Sequence, residues 1–186
     1  MNTLLVAALA EELQGLSSGF DILYTDIGKE YAEGALRKHL SATSPSERQK
    51  LTVFNVGTTG SKMYERGTLL YPTSVKAYNN GVIQEIALVE WGVAKYINCY
   101  PAVCYSSDVF IDAENQKLLD SIEHDCVDME AFTLATVCSE FGVRFISLKL
   151  VSDCFNVTFE QWKSSLSEVV SHLTQAIETL KANKVI

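Results

Sequence analysis

A chain of 186 residues, 47% of them hydrophobic and 20% charged, has the composition of a globular protein. It is long enough to bury a sizeable core and reads as one domain over residues 1–186, two full domains being a tight fit. The net charge of −8 comes without any basic cluster; it repels phosphate backbones and anionic lipid, so nucleic-acid and membrane-surface roles are disfavoured and a small neutral or zwitterionic ligand is not.

Residues 3–10 open the chain as a strand. Their apolar run ends at Glu11 and Glu12, far short of the roughly 20 residues a membrane span needs. It also lacks the basic flank of a signal peptide. A second strand follows at 20–25, then a helix over 29–40 with Ala32, Ala35, Leu36 and Leu40 at helical spacing. Residues 41–50 are polar, contain Pro45 and read as an exposed loop. A third strand over 51–56 closes on the loop Gly57-Thr58-Thr59-Gly60-Ser61. Further strands are read at 67–75, interrupted near Pro72, at 82–89 and at 101–105.

Residues 125–129 are a short extended segment leading into a helix near 130–141, which Gly142 ends. A strand over 143–151 is apolar at most positions and so belongs in the middle of a sheet. Thr158 with Gln161 forms a capping box for a long helix. Its stripe of Phe159, Trp162, Leu166, Val169, Val170, Leu173, Ile177 and Leu180 is core packing. Strands alternating with helices give an α/β fold with a parallel or mixed sheet, in which ligands sit at strand ends.

Polar groups cluster at four such ends: Glu11-Glu12, the Gly-Thr-Thr-Gly-Ser loop, residues 106–111, and Asp128-Met129-Glu130 together with Ser152-Asp153. Each has a plain structural reading beside the functional one. The glutamates suit the first turn of a helix, the glycines a turn, and Asp153 a cap. Other chemistries fail on spacing. Residues 57–62 miss the phosphate-loop pattern, since Ser61 separates Gly60 from Lys62. His39, His124 and His172 lie too far apart for a metal site, so neither metal nor cofactor is expected. The five cysteines are odd in number, form no CxxC pair and read as reduced thiols in a cytoplasm.

The segment Val127-Asp128-Met129-Glu130-Ala131 and the later Ser152-Asp153 resemble the nucleoside phosphorylase and nucleosidase superfamily, most of all the 5′-methylthioadenosine/S-adenosylhomocysteine nucleosidases. Ala8–Glu12 is similar to that family's opening strand, Asp26-Ile27-Gly28-Lys29 to its G-I-G-K turn, residues 55–60 to N-T-G-S-A-G, and residues 106–111 to S-G-D-x-F-I. The resemblance implies a three-layer phosphorylase/hydrolase-like fold, a central mixed sheet flanked by helices. It also implies roles at a purine nucleoside. Asp153 would protonate or hydrogen-bond N7 of the base, which requires apolar and anionic surroundings to hold the proton. Glu130 would hold the ribose hydroxyls and Met129 would pack on the sugar. Phe110 would stack on the base, the backbone of Ile111 would read its edge, and Ser152 would join these substrate-binding residues. Glu12 would activate water, with Thr58 beside it.

By the same resemblance, an aspartate and not an asparagine at 153 implies a 6-amino purine, hence adenine. The superfamily's phosphorylases carry a Gly-Asp-Pro and arginine arrangement near the first strand, where this chain has carboxylates, so hydrolysis is favoured over phosphorolysis. A binding paralogue that does not cleave is the third alternative. The chain departs from the pattern at Thr58-Thr59, Ser61 and Ser107, and is short between Ser61 and Ser106, which bears on the 5′ substituent. The family resemblance also implies a homo-oligomer, a dimer being favoured.

Overall fold

The computed structural model describes residues 2–186. Its strands are β1 (Asn2–Ala7), β2 (Asp21–Tyr24), β3 (Leu51–Gly60), β4 (Leu69–Asn79), β5 (Val82–Ala87), β6 (Tyr100–Ser106), β7 (Cys126–Asp128) and β8 (Arg144–Asp153). Its helices are α1 (Lys29–Ala42), α2 (Pro45–Arg48), α3 (Ala131–Phe141) and α4 (Phe159–Ala182).

All eight strands form one mixed sheet, ordered β2-β1-β3-β7-β6-β4-β5, with β8 joined to both β3 and β4. β1 runs parallel to β2 and β3, and β8 runs parallel to β3 along most of its length. β8 meets β4 antiparallel, β4 runs parallel to β6, β6 parallel to β7, and β7 returns antiparallel to β3. Those pairings close a ring of strands, so the ends of β3, β6, β7 and β8 are brought together at one rim.

Side-chain alternation decides the layers. In β1, Leu4 and Val6 pack with α1 and α3 on one face, while Leu5 and Ala7 pack with α4 on the other. The same division runs along β8, where Phe145 faces the first layer and Ile146, Leu148 and Leu150 face α4. The result is the expected three-layer arrangement of a central mixed sheet with helices on both faces. α4 starts at the expected capping box, where the Thr158 hydroxyl accepts from Gln161 N. α3 ends at Gly142 with φ of 66°, left-handed backbone that glycine accepts without a Cβ penalty.

Three local expectations are corrected. The first strand stops at Ala7, not residue 10, because the Glu12 carboxylate accepts from Leu9 N at 3.2 Å and folds Ala10–Leu13 into a 3₁₀ turn. The polar stretch 41–50 is not all loop. Pro45 stands at the first turn of α2, between Ser44 and Glu47, which form a capping box. Finally, Gly57–Gly60 is strand, not turn: β3 continues beside β8 to Gly60. The glycines there serve close approach. A Cβ on Gly57 would lie 2.9 Å from Glu12 Oε1. One on Gly60 would lie 2.8 Å from Phe155 Cδ1 and closer still to its Cε1.

Candidate active site

The residues to which the resemblance gives roles line one cleft at the rim: Glu12, Thr58, Phe110, Ile111, Met129, Glu130, Ser152 and Asp153. They arrive from five strand ends, those of β1, β3, β6, β7 and β8. Glu12 stands on the 3₁₀ turn after β1, where Glu11 points to solvent and Glu12 is 4% exposed. Its Oε1 accepts from the backbone N–H of Thr58 at 2.7 Å and from the Thr58 hydroxyl at 3.0 Å. With Leu9 N on Oε2, the carboxylate is fixed from both sides.

Glu130 is the N-cap residue of α3, 9% exposed, and its Oε1 accepts from Gly28 N at 2.7 Å. Gly28 has φ of 104°, a conformation that glycine alone adopts readily, and this presents its N–H to the cleft. Burial, reinforced by the neighbouring Asp128 carboxylate, pushes the Glu130 carboxyl up to about 8 against the opposing pull of Lys149 and the Gly28 N–H.

At the tip of β8, Asp153 is 8% exposed. Its Oδ2 accepts from the Ser152 hydroxyl at 2.8 Å and its Oδ1 from Phe155 N at 3.0 Å. Phe110 stands opposite in an aromatic cluster, its ring centroid 5.6 Å from that of Phe159 and 5.7 Å from that of Trp162. The remaining described residues of the lining are apolar or hydroxyl-bearing apart from Asp128; none is basic.

Beneath this lining lies a group the sequence did not announce. Lys149 Nζ and Asp128 Oδ2 are 2.7 Å apart, with side chains 2% and 1% exposed. Burial is the largest single influence and disfavours the Lys149 charge, but Asp128 together with Cys104 and Glu130 outweighs it and holds the ammonium above its usual range. Asp128 also accepts from Ser106 Oγ at 2.6 Å and from Ala131 N at 2.9 Å, and Ser106 Oγ accepts from Phe132 N. The network ties β6, β7, β8 and the first turn of α3 together directly under Met129 and Glu130.

A family model described as the Phosphorylase superfamily matches residues 97–182, the part that carries Phe110, Glu130 and Asp153. Among solved structures, a mutant futalosine hydrolase of Helicobacter pylori superposes with a TM-score of 0.80 at 18% identity, over 98% of this chain and 100% of that one. The 5′-methylthioadenosine/S-adenosylhomocysteine nucleosidase of the same organism, bound to butyl-thio-DADMe-Immucillin-A, gives 0.80 at 18% identity over 98% and 99%. The corresponding nucleosidase of Colwellia psychrerythraea, in complex with adenine, gives 0.77 at 16% identity over 95% and 93%. No curated protein matches the chain. The chain has the phosphorylase-superfamily fold.

Within that phosphorylase-superfamily fold, sequence reasoning found the cleft residues and missed their supports. Lys149 and Phe155 belonged to no motif, and the turn that holds Gly28 was matched without a task for it. Only the apolar setting of Lys149, flanked by Leu148 and Leu150 in a central strand, hinted that its charge needs a buried partner. The cysteines remain unpaired thiols; burial pushes Cys99 up to about 11 and Cys138 up to about 12, which suits inert packing and not nucleophilic work. Among the described residues no helix is long and apolar enough to cross a membrane, and no cluster of His, Cys, Asp or Glu is suited to a metal ion.

Two outcomes follow from this geometry. Gly57→Ala is expected to push Glu12 from its place and lower turnover by at least about tenfold while the chain stays folded. Steady-state kinetics with a circular dichroism control checks this, and unchanged turnover would mean that the position of Glu12 does not matter. The second concerns pH. Folded Glu130 keeps a proton that the unfolded chain has lost between its ordinary 4.5 and about 8. Fewer protons on the unfolded state means that stability falls as pH rises through this window. Glu130→Gln is therefore expected to flatten the fall in thermal midpoint between about pH 5 and about pH 8. An equally steep fall in the variant would remove Glu130 as its source.

Proposed function

We propose that this chain hydrolyses the N-glycosidic bond of an adenine nucleoside of the 5′-methylthioadenosine/S-adenosylhomocysteine type, releasing adenine. The observation that carries the reading is the meeting of Glu12, Glu130 and Asp153 in one cleft from three separate strand ends. Cleaving C1′–N9 leaves electron density on the purine and cationic character on the sugar. Asp153 supplies a proton at N7, so the base departs neutral. Glu12 takes a proton from water as the oxygen bonds to C1′, with the Thr58 hydroxyl 3.0 Å from its Oε1 to orient that water. Glu130 accepts from the ribose hydroxyls and Met129 packs on the sugar. Phe110 stacks on the base, the Ile111 backbone meets its edge, and Ser152 orients Asp153 through its 2.8 Å hydrogen bond. The bond broken and the water added balance: one nucleoside and one water give free base and free sugar.

Hydrolysis is preferred to phosphorolysis because the lining is acidic and contains no lysine or arginine. Arg37 is engaged with Glu33 and Glu140, Arg66 with Glu168, and Arg48 lies over the Phe141 ring. A phosphate dianion would enter against Glu12 with no cation to receive it, whereas neutral water meets no such barrier. Both Helicobacter pylori neighbours are named for cleavage reactions, a hydrolase and a nucleosidase, which supports the same choice.

The test is incubation with 5′-methylthioadenosine and with adenosine, with and without inorganic phosphate, followed by chromatography. Adenine released without phosphate is the expected result. Release that requires phosphate would replace hydrolysis by phosphorolysis, and saturable binding with no release would leave a nucleoside-binding protein.

A further inference from the structure

The cleft encloses only about 60 Å³. A pocket that takes a small organic molecule is roughly 300–1,000 Å³, so a nucleoside does not fit the space as it stands. The side chain that fills its inner end is identifiable. Phe155 is 3% exposed, lines the cleft, and packs with Tyr105, Ile111, Leu119 and Val127. Its ring covers Gly60: a Cβ built there would meet Phe155 Cδ1 at 2.8 Å and Asp153 Oδ1 at 3.1 Å. The ring and the Asp153 carboxyl thus share one small surface. Any heterocycle that reaches this carboxyl comes up against the ring.

The ring also has somewhere to go. Cys154, Asn156 and Val157, on either side of Phe155 in the chain, face a second pocket of about 670 Å³ that also borders Met63 and Tyr64. Ser152 and Asp153 border both pockets, while Phe155 borders only the cleft. Its backbone has φ of 62°, left-handed, where a bulky aromatic residue is rarely held.

We propose that Phe155 sets the size of the base subsite: its ring occupies the space beside Asp153 that a bicyclic base would fill, and a purine enters only by displacing it. The proposal rests on the nucleosidase reading above. It makes Phe155 a specificity-determining residue, one that taxes large bases and spares small ones. Apparent affinity for a purine is lowered by the fraction of time the ring stands aside, and shortening the side chain removes that tax.

Titration calorimetry of the whole chain with two free bases, adenine and cytosine, tests this without requiring turnover. Phe155→Ala is expected to bind adenine at least about tenfold more tightly than the unmodified chain, and cytosine within about threefold of it. Phe155→Leu, which keeps more of the packing around Tyr105 and Ile111, should tighten adenine binding by at least about threefold and serves if the alanine variant does not fold. Adenine binding that is unchanged or weaker in the folded variants overturns the proposal alone, since base release by the unmodified chain is measured separately. Failure of every variant and of the unmodified chain to bind either base overturns the proposal, while the nucleosidase reading stands or falls on the release of adenine.

Discussion

Asp153→Asn is expected to slow release of adenine by about 10²–10⁴-fold, the usual worth of a positioned general acid. The substitution isolates the proton from the shape. Asparagine keeps the size of the side chain, and its carbonyl can accept from Phe155 N as Oδ1 does now at 3.0 Å. Its amide cannot hand a proton to a departing base, because the donor it would need to become is far too weak an acid. The contact with Ser152 survives in reversed sense, the Ser152 oxygen accepting where its hydroxyl now donates. Stability should therefore change little while the chemical step collapses, and single-turnover measurements with a thermal-unfolding control separate the two. A slowing of less than about tenfold, with the fold intact, would show that the base leaves without help from this carboxyl.

Lys149→Met carries the largest expected effect on stability. Removing one member of a buried ion pair leaves the other charged, unpaired and out of reach of water, a loss of about 3–5 kcal/mol. For a chain of this length that lowers the thermal midpoint by roughly 6–20 °C. Here the stranded group would be Asp128, whose carboxylate also organises Ser106 and the first N–H of α3, so the damage falls under Glu130. The double variant Asp128→Asn with Lys149→Met should be more stable than Lys149→Met alone. Asparagine carries no charge to strand, and its carbonyl oxygen can still accept from Ala131 N. Denaturant titration of the single and double variants makes the comparison. A double variant that falls by the sum of its parts, or a single variant within about 1 kcal/mol of the unmodified chain, would mean that the pair is not what holds this region.

The elements were legible where the pattern had one physical cause. The α4 stripe and its Thr158–Gln161 box needed no tertiary information, because a helix of that length buries one face whatever it packs against. Gly142 ended α3 for a backbone reason alone. The signal failed at residues 57–60, where glycine has two meanings: turning the chain or letting a neighbour come close. Only the side chains of Glu12 and Phe155, distant in sequence, select the second.

For the site, the chain order of its motifs was enough to nominate the carboxylates, and the resemblance was enough to assign them tasks. Of the adjacent pair Glu11 and Glu12, the fold turns only the second into the cleft, a consequence of the 3₁₀ turn that Glu12 itself closes on Leu9 N.

What the sequence determined by itself was the α/β alternation, the acidic character that disfavours polyanions, and the identity of the groups available at strand ends. Which of those groups meet was decided by the closed ring of β3, β8, β4, β6 and β7, since that closure brings residues a hundred positions apart to one rim. The pairing of Lys149 with Asp128 and the seat of the Phe155 ring belong to the tertiary structure as well. Burial gives both their meaning, and burial is a property of neighbours that no local stretch of chain encodes.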